Sequence, residues 1–128
     1  MVTQITKGIK VSVESSFEGT YYKESKLHYA FEYSVKIENQ SKELVQLDSR
    51  HWVILDSLKE EETVDGEGVI GKKPVLKPGQ SHTYTSGCLL ASPYGAMYGY
   101  YRMINLNSTK KFNVMIPVFK LSAPFSLN

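Results

Sequence analysis

The chain has 128 residues, 41% of them hydrophobic and 22% charged, which excludes the low-hydrophobicity, high-charge balance of a disordered polymer. Fifteen Lys and Arg against thirteen Asp and Glu leave a formal charge of +2, too small a surplus for the broad positive stripe that holds nucleic acid, so no nucleic-acid partner is expected. Cys88 is the only cysteine, which excludes an intrachain disulfide and a cysteine-rich zinc site. In chain order, Ile9-Lys10-Val11-Ser12-Val13-Glu14 places apolar side chains on odd positions and predicts a strand. In the segment 27–38, Leu27, Tyr29, Phe31, Tyr33, Val35 and Ile37 recur at every second residue, while His28, Glu32, Ser34, Lys36 and Glu38 fall on the other side. That period of two predicts an antiparallel strand with one dry and one wet face. Segments 50–55, 81–88 and 97–104 are rich in β-branched and aromatic residues and predict three more strands. Segment 112–119 predicts the last, with even positions inward; Pro117 cannot donate to a ladder, so it marks an edge or a nitrogen turned from its neighbour.

Turn chemistry separates these strands at 38–42, 77–80, 92–95 and 105–108, and no helical period competes. The expected fold is an all-β, immunoglobulin-like or fibronectin type III-like antiparallel β-sandwich, with residues 1–128 as one domain. Residues 1–7 lack the apolar run of a signal peptide, and no stretch reaches the roughly 18 apolar residues that cross a bilayer. A cytoplasmic protein with no membrane partner is therefore expected.

Gly66-Glu67-Gly68-Val69-Ile70-Gly71 matches the G-x-G-x-x-G string of dinucleotide-binding folds. A Rossmann site needs a helix after the string to supply free amides and a positive dipole, and Lys72-Lys73-Pro74 followed by Lys77-Pro78-Gly79 leaves no room for one. The string reads instead as a glycine-rich loop between strands. Amides of Gly66, Gly68, Val69, Ile70 and Gly71 could line an anion nest with Lys72 and Lys73 beside it, although Glu67 opposes tight binding.

Glu60, Glu61, Glu62 and Asp65 could gather a hard cation, but their spacing fits no calcium loop and reads as a charged hairpin end. His28, His51 and His82 have no zinc spacing; His28 and Glu32 share a face, yet lie roughly 13 Å apart along an extended strand. No metal site or cofactor is expected. Ser86 lacks the nucleophile-elbow glycines, and Cys88 reads as a structural thiol. Tyr94, Tyr98 and Tyr100 form the candidate aromatic surface; Tyr98 and Tyr100 share one strand face, opposite Met97, Tyr101 and Met103. If the second set packs inward, the three tyrosines present rings of the kind enriched at interfaces.

Six ordered strings resemble the ApaG family. They are Arg50-His51-Trp52-Val53-Ile54, Val64-Asp65-Gly66-Glu67-Gly68-Val69-Ile70-Gly71, Pro74-Val75-Leu76-Lys77-Pro78-Gly79, Tyr84-Thr85-Ser86-Gly87, Pro93-Tyr94-Gly95-Ala96-Met97-Tyr98-Gly99-Tyr100 and Ile116-Pro117-Val118-Phe119-Lys120-Leu121. The departures are conservative, such as Ile70 where valine is commoner. The resemblance implies a fibronectin type III-like sandwich, free-standing in bacteria and fused in eukaryotes to F-box or DNA-polymerase-interacting proteins, in a family associated with cobalt and magnesium tolerance. The expected function is a non-enzymatic binding module that engages an unidentified protein partner, or a second copy through an edge strand. A phosphate-bearing small ligand held by the 66–71 loop is the alternative, and cation handling by the acidic run a third reading.

Overall fold

A computed structural model describes residues 1–124; of the span 1–128 expected as one domain, residues 125–128 lie outside the described residues. Among the described residues nine strands follow in order: β1 (Val2–Thr6), β2 (Ile9–Lys23), β3 (Lys26–Asn39), β4 (Val45–Asp56), β5 (Glu62–Glu67), β6 (Val75–Leu76), β7 (Ser81–Leu90), β8 (Tyr94–Asn105) and β9 (Lys111–Ser122). They form two antiparallel sheets, β1-β2-β3-β7 and β5-β4-β8-β9, with β6 paired to β4. Among the described residues no helix is long and apolar enough to cross a membrane.

Alternation is what closes the two sheets over each other. Ile9, Val11 and Val13 of β2 and Phe31, Tyr33, Val35 and Ile37 of β3 all turn inward. Opposite them, Val45, Leu47 and Trp52 of β4 meet Met97, Tyr101 and Met103 of β8 and Val114, Ile116, Phe119 and Leu121 of β9. Rings join the layers at the centre. Tyr33 of one sheet lies 5.4 Å from Trp52 and 5.6 Å from Phe119 of the other, and Trp52 and Phe119 meet edge-on at 88°.

Several expectations need correcting. In 112–119 even positions do not all face inward: Ile116 is buried, but Val118 is exposed while Phe119 and Leu121 are buried. A β-bulge opposite Tyr98 inserts the extra residue that flips the parity, and Pro117 sits within it, on the edge strand of its sheet. Leu27 and Tyr29 lie where the β2–β3 hairpin outruns the sandwich, so Leu27 is exposed and Tyr29 half-buried. Strands β1, β5 and β6 carry no alternation and were not expected. Gly66 and Glu67 belong to β5 rather than to a loop.

A buried polar bond crosses the core. The hydroxyls of Tyr84 on β7 and Tyr101 on β8 are hydrogen-bonded to each other, and burial holds both far less acidic than an ordinary tyrosine. Replacing either residue alone by Phe strands the other hydroxyl, at a cost of about 1–3 kcal/mol. The double Tyr84→Phe, Tyr101→Phe replacement should recover part of that loss, because neither buried oxygen then lacks a partner; urea unfolding of the three variants measures both effects. The pH dependence has a fixed sign. With the folded values raised above the unfolded value of about 10, the unfolded chain releases protons first, so stability is full below that pH and declines as pH rises beyond it. The double variant should show a shallower alkaline decline.

Candidate functional site

The two outer faces of the sandwich differ in chemistry. Cross-strand rows on the four-stranded sheet run Lys10, Glu38; Ser12, Lys36, Thr83; and Glu14, Ser34, Thr85, with Ser34 Oγ and Thr85 Oγ1 2.9 Å apart and Lys36 3.7 Å from Glu38. These central rows are polar, with Ser12 buried among them, and Ile5, Tyr21 and Leu89 stand exposed farther out on the same face. On the five-stranded sheet the central rows run Asp65, His51, Tyr100, Met115 and then Thr63, Val53, Tyr98, with Val118 beside the bulge. Val53 is buried although it points away from the core, whereas Met115 and Val118 remain 39% and 59% exposed. The His51 and Tyr100 rings stack at 4.9 Å, and His51 Nδ1 donates to Asp65 Oδ1 at 2.6 Å. Tyr98 and Tyr100 are half-buried at the centre of this face, and Tyr94 is exposed at its end. Polar residues frame it: Ser49, Arg102 and Asn113 on one side, Lys120 and Ser122 on the other. Parity alone had grouped the tyrosines; His51, Val53, Met115 and Val118 join them only through strand pairing.

The glycine segment takes a different shape. Val69 and Lys72 exchange two backbone hydrogen bonds, 2.8 and 3.0 Å, around Ile70 and Gly71, whose φ values of 46° and 71° make the tight two-residue turn of a hairpin. Gly68 has φ 54°, and a Cβ there would stand 2.1 Å from the Lys72 carbonyl oxygen, so only glycine fits. The Gly68 amide donates to the Asp48 carbonyl at 2.8 Å. The amides of Gly68, Val69 and Lys72 are thus committed to carbonyl groups. Lys73 is engaged as well, 2.7 Å from Glu67 and 3.2 Å from Asp48, and those carboxylates hold its ammonium above its usual range. Partial burial lowers the proton affinity of His82, and the charge of exposed Lys72 adds to it.

Arg50 organises this turn from the core side. Its Nη1 donates to the carbonyls of Glu67 and Gly68, both at 2.8 Å, with the guanidinium lying against Gly66. The sequence signal for it was present: a cation at the inward parity of Trp52 and Ile54 needs an internal acceptor. Cys88 faces the seam between β7 and β5, where a cleft of about 180 Å³ is lined by Tyr33, Arg50, Trp52 and Val64. Burial, with Asp56 and Glu62 adding to it, pushes its thiol up to about 11, which suits a structural rather than a nucleophilic group. Ser86 hydrogen-bonds the Tyr33 hydroxyl, whose proton affinity burial raises. Among the described residues, no group of three or more His, Cys, Asp or Glu converges. His28 contacts the Lys26 carbonyl, and Glu60 and Glu61 stand exposed in the turn before β5.

The ApaG domain family model matches residues 19–105, a span that includes β3, β4, the Arg50-anchored turn and most of the aromatic face. A Protein ApaG of Anaeromyxobacter dehalogenans strain 2CP-C is 42% identical over 128 residues, covering 100% of both chains. A Protein ApaG of Methylorubrum extorquens strain PA1 is 44% identical over 119 residues, 93% of this chain and 91% of its own. The X-ray structure of a Northeast Structural Genomics Consortium target superposes with a TM-score of 0.86 at 34% identity, over 91% of this chain and 88% of the other. A crystal structure from Bordetella pertussis gives 0.83 at 38% identity, over 91% and 94%. Shared sequence along the whole chain and a shared sandwich point the same way: the chain belongs to the ApaG domain family.

Proposed function

We propose that the protein is a non-enzymatic binding module that docks a protein partner on the outer face of its five-stranded sheet. One observation carries this reading: that face has an aromatic and aliphatic centre, Val53, Tyr98, Tyr100, Met115 and Val118, inside a polar frame, while the central rows of the opposite outer face are polar. An apolar core with a polar rim is the make-up of a protein interface, and rigid tyrosines supply contact area at low entropic cost. The unpaired cysteine supports a cytoplasmic setting for it.

Crosslinking in native lysate followed by mass spectrometry tests the proposal. Tyr100→Lys with Val118→Lys should weaken the captured complex about 30-fold, the effect of losing a hot spot of about 2 kcal/mol, while the melting temperature changes little. Ser34→Lys on the other outer face should leave capture unchanged. A complex indifferent to the Tyr100 and Val118 substitutions would sink the reading. Recovery of only a second copy of the chain, lost in the same variant, would identify the partner as the protein itself.

A further inference from the structure

At the end of the sandwich where β1 turns into β2 and β8 into β9 lies a pocket of about 240 Å³ that shares no lining residue with the aromatic face or the glycine turn. Its lining is mixed in a specific way. Lys7 reaches it from the β1–β2 turn, Lys110 from the β8–β9 connection and Lys111 from the start of β9, with Ser41 and Ser108 beside them and Val45 and Phe112 as an apolar floor. Lys7 adopts a left-handed φ of 49° at the turn, and its ammonium stands 5.8 Å over the Phe112 ring.

Counter-charges are few and already in use. Glu43 lines the pocket, but its carboxylate accepts a hydrogen bond from Asn107 Nδ2. Asp48 lies 3.9 Å from Lys111, yet it also takes Lys73 at 3.2 Å, so one carboxylate serves two ammonium groups. The pocket lining therefore holds three lysines against the one carboxylate of Glu43, with Lys111 drawn partly toward Asp48. Lysines bind phosphate as point charges, and several in one lining favour a dianion over a singly charged carboxylate. Serine hydroxyls beside them can donate to the oxygens of such a group. The volume exceeds what one tetrahedral oxyanion fills, and the apolar floor suits a small hydrocarbon body attached to it.

From this arrangement we infer that the pocket binds a small organic phosphate monoester, the phosphoryl oxygens facing Lys7, Lys110 and Lys111 and the ester body lying toward Val45 and Phe112. This site is separate from the docking face and does not depend on it. It also differs from the 66–71 segment, where the sequence suggested an anion and where the amides of Gly68, Val69 and Lys72 are spent on carbonyl groups.

Amide NMR of the full chain titrated with phenyl phosphate, inorganic phosphate and benzoate decides the matter. Phenyl phosphate should shift the amides of Lys7, Gly8, Ser108, Lys110 and Lys111 and saturate at the lowest concentration of the three probes. Lys7→Asn combined with Lys110→Gln should raise its Kd about tenfold or more, a loss of about 1.4 kcal/mol. Shifts confined to Ile70, Gly71 and Lys72, no shifts at millimolar probe, or an unaltered Kd in the double variant would each overturn the proposal. Equal binding of inorganic phosphate and phenyl phosphate would overturn the part played by Val45 and Phe112. The titration of the unsubstituted protein decides the location even if the variant folds poorly.

Discussion

Gly99→Ala is expected to cost about 3 kcal/mol or more, or to prevent folding, because the added carbon meets backbone rather than a side chain. A Cβ at Gly99 would stand 1.9 Å from the His51 carbonyl oxygen and 3.1 Å from the Trp52 Cα. Overpacking in a core is usually relieved by rotating a neighbour, but a paired carbonyl cannot rotate away without releasing its ladder bonds. Strands β4 and β8, which pair from Val45–Asn105 to Asp56–Gly95, would have to part at their middle. The consequence reaches the proposed interface, since Tyr98 and Tyr100 flank Gly99 and His51 stacks on Tyr100. Urea unfolding followed by far-UV circular dichroism measures the loss. A variant that melts within a few degrees of the parent would mean that β4 and β8 do not approach as described.

Asn39→Ala should be nearly as damaging, for a different reason. Asn39 is fully buried at the end of β3, and its side chain satisfies the buried Leu76 carbonyl together with part-buried groups of Ser41 and Glu43. Nδ2 donates to the carbonyls of Glu43 and Leu76, at 2.7 and 2.9 Å, while Oδ1 accepts from the Ser41 amide at 3.0 Å and the Ser41 hydroxyl at 2.6 Å. Its own backbone bonds Gln80 and Gly79. This one residue thereby ties the crossing from β3 to β4 against β6 and the turn before β7. Each buried group left unpaired costs about 1–3 kcal/mol, so a total of about 3–4 kcal/mol is expected after some relaxation. Thermal unfolding reads the total, and amide hydrogen exchange at Ser41 reads the local release. Full retention of both would show that the crossing does not depend on Asn39. Because Ser41 and Glu43 also line the lysine pocket, phenyl phosphate binding should weaken in the same variant.

Much of the fold is legible in the residues, and the limits of that legibility are physical. Strand β3 announces itself because Phe31, Tyr33, Val35 and Ile37 turn inward between two neighbours while Glu32 and Lys36 face water. Strand β1 is silent: as a sheet edge it needs only backbone pairing with β2, and its Val2 and Ile5 are exposed. Strand β5 is silent for the same reason, with Glu62, Asp65, Gly66 and Glu67 all poor strand formers held by pairing to β4. The bulge at Pro117 could be suspected from the proline, but the resulting reversal that exposes Val118 and buries Phe119 required the register against β8.

The candidate sites divide along the same line. Alternation is a local property of the chain, so composition and the period of two sufficed for an all-β antiparallel sandwich and for placing Tyr98 and Tyr100 on the face opposite Met97, Tyr101 and Met103, while which face packs inward needed the structure. Hydrogen-bond commitment and neighbourhood are not local. Which amides of the 66–71 string are free, which strands bring His51, Val53 and Val118 beside the tyrosines, and which turns carry Lys7 to Lys110 all depend on pairing between segments far apart in the chain. Only the tertiary structure decides them, because a backbone donor or a side chain acquires its partner when the sheets close.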